Sequence, residues 1–276
     1  MKRWFYLTIV LLFAAAHLAA AQDSVISSGR FSWTDLGKGA QSAYIQAELF
    51  GTVQSISVIR YPEKRLHLHV INDPGADADS TSALAVRHNA LAAVNGSYFN
   101  VKTLVPVTYV KEKRRVEGRT TVRETFRTDG LLAVRGHKVD IIRCDTLNYD
   151  EATKRCRDVL AAGPVLLIDG WEARDEWPDQ SFYTKRHPRT LIGTTNDGWV
   201  YLVVIDGRTP GKADGASIHE TALIARLLGL DNAINLDGGG SSTLWTRPGG
   251  VLSNPCDNKR FDHAGQRRVP NIVMIR

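Results

Sequence analysis

Apolar and polar positions alternate most clearly in the first half of the chain, where the period is two. Thr52 to Arg60 sets Val53, Ser55, Ser57 and Ile59 against Gln54, Ile56 and Val58, an apolar-leaning strand. Arg65 to Ile71 puts Leu66, Leu68 and Val70 on one face and His67 and His69 on the other. Two histidines at that spacing can ligate a metal, although solvated residues on the polar face of a strand explain them as well. Thr81 to Ala90 has helical character with Ser80 as its N-cap. Leu91 to Val94 is a short buried strand that ends at Asn95-Gly96, an ordinary turn pair. A hairpin is predicted over residues 129–143, with Leu131 to Val134 leading to Gly136 and Val139 to Ile142 returning. Ala161 to Gly170 reads as one buried strand with turns at both ends. Arg189–Thr195 and Trp199–Ile205 bracket Asn196-Asp197-Gly198, a strong hairpin signal.

The most regular helix is Ser217 to Leu228, with Ile218, Ala222, Ala225 and Leu228 on one face and Gly229 as its stop. Asn232 to Leu236 is then a buried strand that runs straight into Asp237-Gly238-Gly239-Gly240. Ser242–Thr246 and Val269–Ile275 complete the set. The pattern predicts an α+β fold, or an irregular α/β one, with a mixed, strand-rich sheet and few helices.

The N-terminus changes this picture. Lys2 and Arg3 precede an apolar run from Phe5 to Ala16, and Ala19-Ala20-Ala21 supplies the small residues that a signal peptidase requires. The run is short of the roughly 20 residues of a spanning helix, so residues 1–21 are read as a signal peptide cut near Ala21/Gln22. An exported protein, periplasmic or secreted, with no stable membrane span is the expectation. Residues 22–276 carry no linker-like segment and are expected to form a single domain.

Removing residues 1–21 lowers the net charge from +6 to +4. One denser basic stretch, Lys111, Lys113, Arg114, Arg115 and Arg119, reads as a solvated strand edge or loop. Nucleic acid is not an expected partner of an exported chain, and an anionic substrate suits a positive cleft better. Three cysteines suggest one disulfide and one thiol. Cys144 and Cys156, which bracket a short polar segment, are the expected pair, and Cys256 the free thiol. No Cys/His spacing argues for zinc, and the sequence identifies no cofactor.

Candidate chemistry collects at the ends of predicted strands. Asp237 closes a buried strand and precedes three glycines and the hydroxyls of Ser241 and Ser242. Such a loop can form a nest of free N–H groups for an anion, or it can be a glycine-rich bend that Asp237 merely caps. It lacks the lysine of a phosphate-binding P-loop, and Thr243 stands where a nucleophile elbow needs glycine. Asp206 and Arg208 follow one strand of the second hairpin, and Arg189 begins the other. Guanidinium forks suit phosphate, with pairing to local carboxylates as the alternative. Glu220 completes a Ser217-x-x-Glu220 capping box, which accounts for it without catalysis.

Several stretches together resemble the phosphodiester glycosidase family. They are Asn95-Gly96-Ser97-Tyr98-Phe99, Ala162-Gly163-Pro164, His187-Pro188-Arg189-Thr190-Leu191-Ile192-Gly193, Ile205-Asp206-Gly207-Arg208, Gly215-Ala216-Ser217-Ile218-His219-Glu220 and Asn235 to Leu244, with Arg268-Val269-Pro270-Asn271 as a closing element. Ser97 stands where members commonly have a second glycine, and His219 where a smaller residue is frequent.

The resemblance implies hydrolysis of a sugar-1-phosphodiester, or of a glycan containing one, with release of free sugar from a phosphate monoester. A carboxylate would attack the anomeric carbon or activate water, and cations would stabilise the departing phosphate. Asp237 is the expected carboxylate, with Glu220 or Asp206 as its partner. Arg189, Arg208 and the loop amides and hydroxyls of Gly238, Gly239, Gly240, Ser241 and Ser242 would hold the phosphate. Asn95 and Asn235 would bond sugar hydroxyls or orient the carboxylates. A non-catalytic module binding a sugar-phosphate polymer, or a phosphodiesterase cutting P–O, would use the same residues.

Overall fold

The computed structural model describes residues 31–276. The expected signal segment lies outside the described residues. Three antiparallel sheets account for most of the strands. The largest runs Thr34–Gly37, Ala40–Leu49, Thr52–Pro62, Trp199–Ile205, Arg189–Thr194, Asn232–Asn235, Val165–Ile168, Trp171–Glu172 in spatial order. The second runs Arg115–Gly118, Val110–Glu112, Asp158–Ala162, Gly130–Arg135, Lys138–Arg143. The third runs Gly250–Val251, Leu244–Thr246, Ala92–Asn95, Asn271–Ile275, Leu68–Asn72.

Helices are few among the described residues, the longest being Ile218–Leu227. Every ladder between these strands is antiparallel. The fold is therefore strand-rich as expected, but its sheets are antiparallel where a mixed one was predicted, and α/β winding does not describe it. The connections explain this: Phe50-Gly51, Gly136-His137 and the Asp197-Gly198 turn are too short to join parallel neighbours.

One core cluster draws on all three sheets. Ile59, Leu202 and Ile234 come from the first, Leu132 and Leu160 from the second, and Val70, Val94 and Val273 from the third. The Ile218–Leu227 helix packs Ile218, Ala222 and Ala225 onto the opposite face of the largest sheet, against Leu166, Leu191 and Val203. The predicted capping box forms, since Ser217 Oγ accepts from Glu220 N and Glu220 Oε2 accepts from Ser217 N.

Three expectations are corrected. The strand read as continuous over Ala161–Gly170 breaks at Gly163-Pro164. Residues before the break belong to the second sheet and residues after it to the first. Pro164 has no N–H for a ladder, and Gly163 lies so close to the Arg127 carbonyl that a Cβ would overlap it. Secondly, Cys144 and Cys156 are not bonded; both are free thiols, as is Cys256. Cys144 follows Arg143, which pairs with Gly130, whereas Cys156 precedes Arg157, whose N–H reaches the Val134 carbonyl. The cysteines thus sit beyond opposite ends of the Gly130–Arg135 strand, about 20 Å apart along it at roughly 3.3 Å per residue, and a disulfide needs Cα atoms within about 7 Å. Lastly, His69 is buried rather than solvated, with Nδ1 2.6 Å from Arg157 Nη1 and 3.3 Å from Asp158 Oδ2. No cluster of metal-ligating side chains occurs among the described residues.

The basic stretch is an edge hairpin as expected, with Lys113 and Arg114 in its turn. Lys111 is the exception: it is buried, and its Nζ donates to the Thr153 carbonyl at 2.9 Å.

Candidate active site

Strand register brings the candidate residues to one end of the molecule. Arg189 pairs with Ile205 and Leu191 with Asn235, so the start of one strand meets the ends of two others. The third sheet arrives alongside, since Asp237 N donates to the Gly96 carbonyl and Leu236 N to the Thr190 carbonyl. Asn95 is the keystone of this junction. Fully buried, it accepts from Thr190 Oγ1 at 2.7 Å and Thr243 N at 3.2 Å, and it donates to the Asp237 carbonyl at 2.7 Å. These bonds occupy the side chain, so Asn95 positions the Asp237 loop.

The loop is a tight turn. Gly239 N donates to the Pro188 carbonyl, Ser241 N to Gly238 and Ser242 N to Gly239. The amides expected to form an open anion nest are therefore mostly turned inward. The glycines admit close neighbours instead. Gly239 has φ +63°, and a Cβ there would lie 2.9 Å from Arg208 Nη2. At Gly240 a Cβ would overlap the Asp257 carboxylate and the Arg267 guanidinium. Gly238 rests on the Pro188 carbonyl.

Burial pushes the Asp237 carboxyl above the usual carboxylate range. The Ser241 hydroxyl, the Arg127 and Arg267 guanidiniums and the Gly238 amide pull it back without cancelling the shift. Arg127 stacks 3.8 Å from the Tyr98 ring centroid and pairs with Glu124. Tyr98 is buried, donates to the Gly163 carbonyl at 2.5 Å, and is raised by desolvation so that it stays a neutral phenol. Asn235 Nδ2 donates to the Gly163 and Leu236 carbonyls and to the Tyr98 oxygen. Its Oδ1, together with the hydroxyls of Ser242 and Thr243, is buried without a hydrogen-bond partner among the described residues.

The two expected arginines differ. Arg189 is buried, and its guanidinium donates to the carbonyls of Ala216, Phe182 and Lys185, so most of its fork is structural. Desolvation lowers it to about 10. Arg208 is exposed, has φ +63°, and lies over Gly239 with no carboxylate in salt-bridge range among the described residues. Beside them, burial and then Arg189, Arg208 and Lys185 lower His187 to about 4, so its imidazole is neutral at pH 7.

Neither expected partner carboxylate joins the Asp237 cluster. Glu220 is held by Arg186 as well as by the capping box, with Arg186 Nε 3.0 Å from both carboxylate oxygens. Burial pushes it up, but Arg186 and Ser217 outweigh that and leave it lowered. Asp206 is buried and accepts from Ser55 Oγ at 2.6 Å, Asn254 N at 2.8 Å and Asn254 Nδ2 at 2.8 Å. Its surroundings are those of a buried structural acid. Sequence reasoning missed Arg127, Arg267 and Asp257; nothing local marks them, because they reach the site from distant loops.

The chain matches the phosphodiester glycosidase family over residues 88–276. It is 29% identical over 117 residues to the SPbeta prophage-derived uncharacterized protein YomE of Bacillus subtilis (strain 168), a stretch covering 42% of this chain and 17% of that protein. Among solved structures, the catalytic domain of zebrafish N-acetylglucosamine-1-phosphodiester alpha-N-acetylglucosaminidase, auto-inhibited by its pro-peptide, superposes with a TM-score of 0.69 at 17% identity, covering 86% of this chain and 83% of that one. A hypothetical protein from Synechocystis superposes with a TM-score of 0.66 at 16% identity, covering 89% and 63%.

Proposed function

The chain belongs to the phosphodiester glycosidase family, and from that premise we propose that it hydrolyses a sugar-1-phosphodiester, releasing free sugar and a phosphate monoester. The observation that carries this reading is the pairing of a carboxylate with an uncommitted cation around one glycine loop. Asp237 opens the loop, and Arg208 lies over Gly239 with no carboxylate in salt-bridge range among the described residues. Asp237, once ionised, attacks the anomeric carbon or activates water against it. The bond between that carbon and oxygen breaks, and its electron pair leaves on the phosphate oxygen. Water supplies the hydroxyl of the free sugar and a proton for the phosphate or solvent.

Arg208, with its fork aimed at the loop, stabilises the growing charge. A phosphate monoester leaves readily, which suits a site where Glu220 and Asp206 already have partners within the protein. Arg189, Asn95 and Asn235 act by positioning, since each spends its side chain on neighbouring backbone carbonyls. The N-terminal pattern supports export, followed by action in the periplasm or outside the cell; N-terminal sequencing of the exported protein should begin at Gln22.

The test is hydrolysis of an N-acetylglucosamine-1-phosphodiester, the substrate class in the zebrafish protein's name, in oxygen-18 water. Label in the sugar is expected. Label in the phosphate would mean P–O cleavage, and binding without release would mean a binding module.

A further inference from the structure

The loop of residues 254–267 borders the candidate site at Asp206, Arg208 and Gly240. Asn254 binds Asp206 through its backbone and side chain. Cys256 Sγ lies 3.9 Å from Arg208 Nη1. Asp257 and Arg267 form a bidentate pair, with both N···O distances 2.8 Å, against Gly240. The same loop then builds one wall of a groove of about 650 Å³, whose aromatic side chains are Tyr44, Phe261 and His263.

This groove is built rather than incidental. Tyr44 is 42% exposed, yet its hydroxyl lies 3.1 Å from Ser55 Oγ, which donates to Asp206. His263 Nδ1 is fixed 2.8 Å from the Ser253 carbonyl. Lys212 Nζ stands 5.7 Å from the Phe261 ring centroid. Asp262, which also lines the groove, accepts from Asn258 Nδ2 and Ala264 N through Oδ1. Aromatic faces with polar edges, in a volume within the range of small-molecule sites, suit a hydroxylated ring, which is apolar on its faces and polar at its rim.

The groove also has a direction. Asp237 feels the Arg127 and Arg267 guanidiniums, while Arg208 crosses Gly239 to within 3.9 Å of Cys256 Sγ, two residues along the loop from Asn254, which lines the groove. A phosphate held at Arg208 would have its sugar toward Asp237 and its second ester substituent toward Asn254 and the groove. We propose that the Tyr44–Phe261 groove is the subsite for that second substituent, and that it takes a glycosyl residue stacked on Phe261. This inference rests on the glycosidase reading of Asp237 and Arg208.

The experiment uses two phosphodiesters of one sugar 1-phosphate, esterified to methanol in one and to the C6 hydroxyl of methyl glucoside in the other. The readout is the ratio of their kcat/KM values. The protein should prefer the glucoside ester. Phe261→Ala should lower that preference about three- to tenfold, the value of one aromatic contact, through KM, and Phe261→Trp should restore it. An unchanged ratio in both Phe261→Ala and Tyr44→Ala would overturn the groove assignment while leaving the hydrolase reading intact. Failure to cleave either ester would overturn the hydrolase reading, and the subsite with it.

Discussion

Asp237 and Glu220 present the same functional group in opposite surroundings. Burial raises Asp237; it is also the largest single influence on Glu220, but Arg186 and Ser217 together outweigh it and leave Glu220 lowered. Asp237→Asn should remove turnover by several powers of ten while leaving the folded state intact by circular dichroism. If Asp237 reacts as the anion, kcat/KM falls on the acid side, and its limb should lie above the ordinary aspartate value of about 3.9. A limb at or below that value would contradict burial as the cause. Glu220 works the other way: its lowered pKa stabilises the fold above the unfolded value near 4.5, and that stability is lost as pH falls through the folded value. Glu220→Gln keeps a capping-box acceptor but loses the Arg186 ion pair. It should cost about 1 kcal/mol or less in urea denaturation and leave turnover in place. The arginines divide similarly. Arg189→Lys strands buried carbonyls and should destabilise by about 1–3 kcal/mol. Arg208→Lys should leave stability nearly unchanged but lower kcat/KM, because its planar fork is lost. The place of Asp237, where a buried strand opens into the glycine loop, was legible in the sequence. The difference between Arg189 and Arg208 was not, since both flank strand ends and only tertiary contacts assign their donors.

At the level of elements, legibility follows locality. The hairpins over 130–143 and 189–205 and the capped helix Ile218–Leu227 were readable because turn residues and caps lie within a few positions of what they shape. The break at Gly163-Pro164 was hidden because the apolar run continues through it while the chain changes sheets. That break brings Gly163 against the Arg127 carbonyl and gives Tyr98 its acceptor. Gly163→Ala should therefore displace the segment carrying Arg127 and lower activity beyond its cost in stability, which parallel denaturation and rate measurements will separate. The first two strands of the largest sheet, Thr34–Gly37 and Ala40–Leu49, were not predicted at all. Ala40–Leu49 mixes polar residues such as Gln41, Tyr44, Gln46 and Glu48 into its run, which blurs the apolar alternation although both its partners are chain neighbours.

Across the whole molecule, the three sheets share one core cluster, and the second of them holds Cys144 and Cys156 apart. A thiol titration of the unfolded, unreduced protein should count three free sulfhydryls; a count of one would restore the bridge. The other two sheets join the early and late parts of the chain. Thr52–Pro62 forms a seven-pair ladder with Trp199–Ile205, and Leu68–Asn72 pairs with Asn271–Ile275. Both early strands precede residue 88, where the family match begins. A fragment of residues 88–276 would keep all the site residues of the glycine loop. It would also expose the Trp199–Ile205 strand, Val200 to Ile205 being buried in the full chain, as a bare hydrophobic edge. Such edges template pairing with other chains. That fragment should self-associate in size-exclusion chromatography, and adding back a peptide spanning Thr52–Pro62 should compete with the self-association by taking the vacant place in the sheet.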